Sequence, residues 1–151
     1  FDAWQTLQGS ETLALRMERH CENAMAVAEF LRDHPEVAWV TYPGLDDHET
    51  HDNASEYLTG GYGGMLAFGL DGGFAAGRDL CEAVELGQFL ANVGDAKTLV
   101  VHPASTTHAQ LSEAEQRASG VTPDLLRLSV GIEDVEDIKA DLDQAIEKAT
   151  T

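Results

Sequence analysis

The chain has 151 residues, 43% of them hydrophobic, and a formal charge of −18 from 27 Asp and Glu against 9 Lys and Arg. That length supports one substantial core, and the acidic excess repels nucleic acid and anionic membranes. The opening residues do not read as an export leader, and no apolar run approaches the ~20 residues that a membrane helix needs. A soluble, cytoplasmic protein is therefore expected. The sequence starts on Phe1-Asp2-Ala3-Trp4 without Met, as a segment of a longer protein or a processed terminus would.

From Glu11 to Asp33, apolar residues recur at Leu13, Met17, Cys21, Ala24, Val27/Ala28 and Leu31, the spacing of one helical face. Pro35 disfavours helix at His34 and ends the run. Val37 to Tyr42 is β-rich and reads as a strand closed by Pro43-Gly44. Residues 43–63 are polar and Gly-containing, with a short helix near Asn53 to Leu58, and they lead into a second, buried strand from Gly64 to Leu70. Asp71-Gly72-Gly73 turns the chain and is expected to cap a helix from Phe74 to Val84, with Phe74, Leu80, Cys81 and Val84 inward. Strands follow around Phe89-Leu90 and Thr98 to Val101. Ser112 and Glu115 have capping-box spacing for a short helix that Gly120 terminates. A strand from Leu125 to Val130 precedes a last helix from about Asp134, whose inner face is Ile138, Leu142, Ala145 and Ile146. These elements predict an α/β fold, a small sheet covered by helices.

Cys21 and Cys81 fall within apolar helical patterns with no second Cys or His at metal spacing and read as core residues of a reducing compartment, not as a disulfide. The acids are dispersed, as at Asp46-Asp47, Glu113/Glu115, Glu133-Asp134 and Asp141/Asp143. Dispersal favours the acidic shell of a halophilic protein over an acidic docking surface for a basic partner.

Asp46-Asp47-His48-Glu49-Thr50-His51-Asp52 concentrates groups that suit zinc or manganese, yet its spacing matches no zinc signature, and it reads as a solvated turn. Gly60 to Gly64 precedes a strand and lacks a Lys-Ser/Thr pair, so it reads as a flexible strand entry instead of a phosphate loop. No Gly-x-Ser-x-Gly occurs and neither Cys forms a recognisable nucleophile pair with a His, which argues against a self-contained hydrolase.

The stretch from Asn92 through His102-Pro103-Ala104-Ser105-Thr106-Thr107-His108 differs in kind. It joins an apolar strand to a loop dense in hydroxyls and imidazoles. Arg127 stands alone as a cation within Leu125 to Val130, and period-two alternation sets it opposite Leu126 and Leu128. Such a guanidinium either pairs with a carboxylate of the protein or offers a two-pronged contact to a ligand carboxylate.

Asn92 to His108, with Gly120-Val121-Thr122-Pro123 and Leu126 to Glu133, resembles the carboxy-terminal region of the Cys/Met-metabolism family of fold-type-I pyridoxal-phosphate enzymes. The wording Asn92-Val93-Gly94-Asp95-Ala96-Lys97 before the His-Pro-Ala-Ser-Thr-Thr-His loop is similar to the O-acetylhomoserine sulfhydrylase branch more than to cystathionine γ-synthase or the γ-lyases. Arg16 to His20, Tyr42 to Leu45 and Tyr62 to Leu66 extend the likeness over nearly all 151 residues.

The resemblance implies that residues 1–151 form the small carboxy-terminal domain of a transferase. Arg127 would bind the substrate α-carboxylate, Asn92 would help to hold it, and Thr107 would line the same pocket. It places the cofactor-bearing lysine and the phosphate-binding residues in a preceding large domain or a neighbouring subunit. No catalytic, cofactor-binding or metal-binding residue is then expected in this chain, and the chain alone should be inactive. The implied reaction replaces the acetate of O-acetyl-L-homoserine with sulfide or methanethiol, giving homocysteine or methionine, in a homotetrameric parent that binds neither nucleic acid nor membrane. The rival class is a non-catalytic acidic binding module in which Arg127 is a structural ion-pair partner.

Overall fold

The computed structural model describes all 151 residues. Two helices, α1 (Asp2–Glu11) and α2 (Leu13–Arg32), lead into strand β1 (Val37–Thr41). Then come α3 (His51–Tyr57), β2 (Met65–Leu70), α4 (Gly73–Ala83), β3 (Gln88–Phe89) and β4 (Leu99–Val101). A single 3-10 turn at Pro103–Ser105, α5 (Glu113–Ala118), β5 (Leu125–Ser129) and α6 (Val135–Thr150) complete the chain. The five strands form one sheet in the order β1-β2-β5-β4-β3, antiparallel except for the β3–β4 pair.

Alternation along each strand divides the sheet into two unlike faces. Leu66, Phe68, Val100, Leu126 and Leu128 point into a core completed by Ala24, Val27, Ala28 and Leu31 of α2, Leu80 and Cys81 of α4, and Ile138, Leu142, Ala145 and Ile146 of α6. The long helices therefore cover one face. The other face carries the intervening residues, with Arg127 lying between Ala67 of β2 and Val101 of β4.

Most predicted elements appear within a residue or two, and the short helix α5 has the reciprocal Ser112–Glu115 capping box. Asp134 caps α6, its carboxylate accepting the Glu136 amide at 2.9 Å. Four expectations need correction. Helix α1 was not anticipated; it buries no residue, so no inward apolar face marks it in the sequence. Leu13 and Met17 are exposed, and the buried stripe of α2 starts only at His20. Asp71 does not cap α4; Gly72 occupies that position without a side-chain bond. Phe74 is half exposed, since it packs edge-on against His102 at the end of the sheet instead of beneath it.

Both cysteines are free thiols. Cys81 lies in the core, where burial pushes its pKa up to about 12. Cys21 is partly exposed and accepts a hydrogen bond from the Gly63 amide at 3.3 Å. A methyl at Gly61 would come within 2.6 Å of the Cys21 Cβ, so this loop needs glycine to pack on α2. No helix is long and apolar enough to cross a membrane.

Candidate functional site at one end of the sheet

Sheet topology brings the three residues of the proposed site toward one end. Strands β3 and β4 run parallel, with Phe89 level with Val100, so both finish at the same end. Strand β5 runs the other way and starts there, with Arg127 level with Val101. Asn92 follows the end of β3, Thr107 follows the end of β4, and Arg127 lies near the beginning of β5.

The Arg127 side chain makes neither an ion pair nor a hydrogen bond within the chain, despite 27 available acids. Its strand is nevertheless held on both sides, by β2 and β4. A fixed backbone carrying an unpaired guanidinium suits recognition of a carboxylate, whereas a structural ion pair requires a partner that is missing here.

Asn92 and Thr107 are both exposed, and neither bonds to a distant part of the chain. The Asn92 side-chain oxygen accepts the adjacent Val93 amide at 2.8 Å, which leaves its amide donors outward. The Thr107 hydroxyl lies 2.9 Å from His108 Nδ1.

Rigidity comes from residues to which the sequence assigned no positioning role. His102 is wholly buried, with its ring bonded to Ser105 and to the Pro123 carbonyl. Gln116 of α5 donates to the carbonyls of Ala104 and His108, at 3.2 and 2.9 Å, and holds the loop from outside. Glu133 accepts from both the amide and the hydroxyl of Thr98. Asp141 of α6 accepts backbone amides of Glu85, Leu86 and Gly87 at 2.7, 3.0 and 2.8 Å, fixing the approach to β3. The contacts to the backbone of Ala104, Pro123, Thr98 and Glu85 span 12 to 56 residues and are invisible to a motif search.

The Asp46–Asp52 segment gathers no group of three acids, imidazoles or thiols able to hold a metal ion. Instead His51 donates to the Pro43 carbonyl at 2.9 Å, and His48 bonds to Thr41 and Thr50. Lys139 and Lys148 lie on α6, across the sheet, paired with Glu136 and Glu85, and Lys97 is exposed in the lead to β4. The larger surface cavities lie along α2, in part against the Gly60–Gly63 loop, and near His34, away from Arg127.

The family model described as Cys/Met metabolism PLP-dependent enzyme matches residues 1–147. The chain belongs to this family. As a member of the Cys/Met metabolism PLP-dependent enzymes it is 53% identical over 146 residues to O-acetyl-L-homoserine sulfhydrylase 1 of Thermus thermophilus, covering 97% of this chain and 35% of that protein. It is 54% identical over 149 residues to homocysteine synthase of Schizosaccharomyces pombe, covering 99% of this chain and 35% of that protein. A crystal structure of a Campylobacter jejuni protein, described as a putative O-acetylhomoserine (thiol)-lyase with a pyridoxyl-lysine phosphate, superposes with a TM-score of 0.90 at 44% identity. It is matched over 96% of this chain and 34% of its own. The chain thus spans about a third of the length of these family members.

Proposed function

We propose that residues 1–151 are the small carboxy-terminal domain of a PLP-dependent O-acetylhomoserine sulfhydrylase, and that Arg127, Asn92 and Thr107 hold the substrate's α-carboxylate. One observation carries the reading: Arg127 is the unpaired cation on a rigid strand, at the sheet end where the Asn92 and Thr107 loops emerge. The Thermus and fission-yeast relatives bear names that specify O-acetylhomoserine sulfhydrylation and homocysteine synthesis, and they support this substrate over those of cystathionine γ-synthase or a γ-lyase.

The cofactor, when bound, supplies carbanion stabilisation. Its lysine is assigned to the remainder of the parent protein, so this domain's contribution is positional. Fixing the carboxylate sets which bond at Cα is labile and keeps Cγ, with its acetyl ester, oriented for replacement by sulfide or methanethiol. The unburied α1, with Trp4 and Leu7 exposed, supports further protein covering it, either the large domain or a subunit of a homotetramer. The dispersed acids support a halophilic setting, and the two free thiols support a reducing, cytoplasmic one.

The test is to express the complete polypeptide and assay O-acetyl-L-homoserine with sulfide. Homocysteine formation at a higher kcat/KM than with O-succinylhomoserine or cystathionine is expected. The 151-residue chain alone should bind no stoichiometric cofactor and form no product. A complete polypeptide without cofactor or turnover would leave the acidic binding module as the better reading.

A further inference from the structure

We infer that His102 is a positioning residue for carboxylate recognition, tying the loop that carries Thr107 to the segment that leads into Arg127. The inference rests on the function proposed above. His102 directly follows β4 and is wholly buried. Its Nε2 lies 2.7 Å from the Pro123 carbonyl oxygen, and a carbonyl only accepts, so Nε2 carries the proton. Nδ1 then accepts, and the Ser105 hydroxyl at 2.9 Å donates to it. The Thr106 hydroxyl donates to the His102 carbonyl at 2.7 Å, and the His108 amide donates to the Pro103 carbonyl at 2.9 Å, winding the loop around this one residue.

The ring is closely packed on two sides. Phe74 packs edge-on against it at 4.9 Å, and a methyl at Gly77 would come within 2.8 Å of its Cδ2. Burial lowers the pKa of the imidazole, in keeping with the neutral tautomer that the two bonds require. One nitrogen thus fixes the loop and the other fixes Pro123, four residues before Arg127. One partner lies on the loop that carries Thr107 and the other on the segment that leads into Arg127.

The two bonds are separable by substitution in the complete enzyme, assayed with O-acetyl-L-homoserine and sulfide. His102→Gln keeps a donor near the Nε2 position and loses the acceptor for Ser105, while His102→Asn keeps that acceptor and loses the reach to Pro123. His102→Asn is expected to raise KM by about tenfold or more with kcat within about threefold, because the change falls on uniform substrate binding. His102→Gln and Ser105→Ala both remove the Nδ1–Ser105 bond, the second also the weaker 3.3 Å contact of the Ser105 hydroxyl with the His102 carbonyl, and each should raise KM by about two- to fourfold at normal cofactor absorbance. A His102→Asn KM no higher than that of His102→Gln would overturn the inference. Should His102→Asn fail to fold, the decision passes to Ser105→Ala, whose unchanged KM would overturn it equally. A wild-type enzyme inactive on O-acetyl-L-homoserine would remove the functional reading and this inference with it, whereas an active wild type with unaltered variants would remove the inference alone.

Discussion

The Glu133 carboxylate closes on Thr98, accepting its backbone amide at 2.6 Å and its hydroxyl at 3.0 Å. Thr98 in turn accepts the Gly131 amide on its hydroxyl at 2.9 Å, and Asn23 of α2 donates to the Gly131 and Glu133 carbonyls. A single acid beyond β5 therefore anchors the start of β4 and the lead that carries Asn92. Glu133→Ala leaves the Thr98 amide without its partner, and a loss of about 1–3 kcal/mol is expected, the scale of a deleted charge-assisted hydrogen bond. Chemical denaturation of the complete protein measures it; an unaltered midpoint would show that water replaces the carboxylate.

Arg127→Lys keeps the charge but loses the planar fork, so substrate binding in the complete enzyme should weaken by roughly 1–3 kcal/mol. Arg127→Ala should weaken it further. Because Arg127 has no acid partner within this chain, neither variant should lower the melting point appreciably, and cofactor absorbance should be normal in both. Steady-state kinetics and a melt on one preparation decide: an unchanged KM with a lowered melting point would assign Arg127 a structural role.

His102 makes a pH-dependent contribution to stability whose sign follows from its environment. Burial lowers its folded pKa below the ordinary histidine value, outweighing the Pro123 hydrogen bond and Asp124, both of which favour the charged ring; Arg78 disfavours it. The unfolded chain thus takes up a proton first as pH falls, and the contribution is complete above about pH 6.5 and lost below it, down through the lowered folded pKa. The melting-point gap between wild type and His102→Gln should accordingly narrow between about pH 7 and pH 5. A gap that stays constant or widens on acidification would contradict a neutral buried imidazole.

Seven close charge pairs, one of them through His34, serve 27 acids, so most of the negative charge is unpaired. Even in its pair with Arg32, Asp46 keeps 89% of its side chain exposed. At 1 M salt the screening length falls to about 3 Å, and self-repulsion over such a surface is largely removed. Melting points should climb steadily from low to molar potassium chloride. A flat or falling series would leave the acidity to be explained by a basic partner.

The sequence by itself determined the periodic elements and the identity of the polar groups. Core faces such as Ile138, Leu142, Ala145 and Ile146 are legible because burial against a sheet imposes the helical repeat, and the Ser112–Glu115 box is legible because capping is local. Alternation also set Arg127 on the face opposite Leu126 and Leu128. Its pairing was undecidable from sequence, since any of the acids was eligible and only their positions in space show that none approaches it. The same applies to the placement of the Asn92 and Thr107 loops at the end of the sheet where Arg127 lies, which follows from a parallel β3–β4 pair beside an antiparallel β5. Strand direction and order are properties of long-range pairing, and no local repeat encodes them. Nor does any repeat reveal α1, or the contacts by which His102, Glu133 and Asp141 grip backbone groups 21 to 56 residues away. Those partners are amides and carbonyls that every residue possesses, so only the folded chain selects among them.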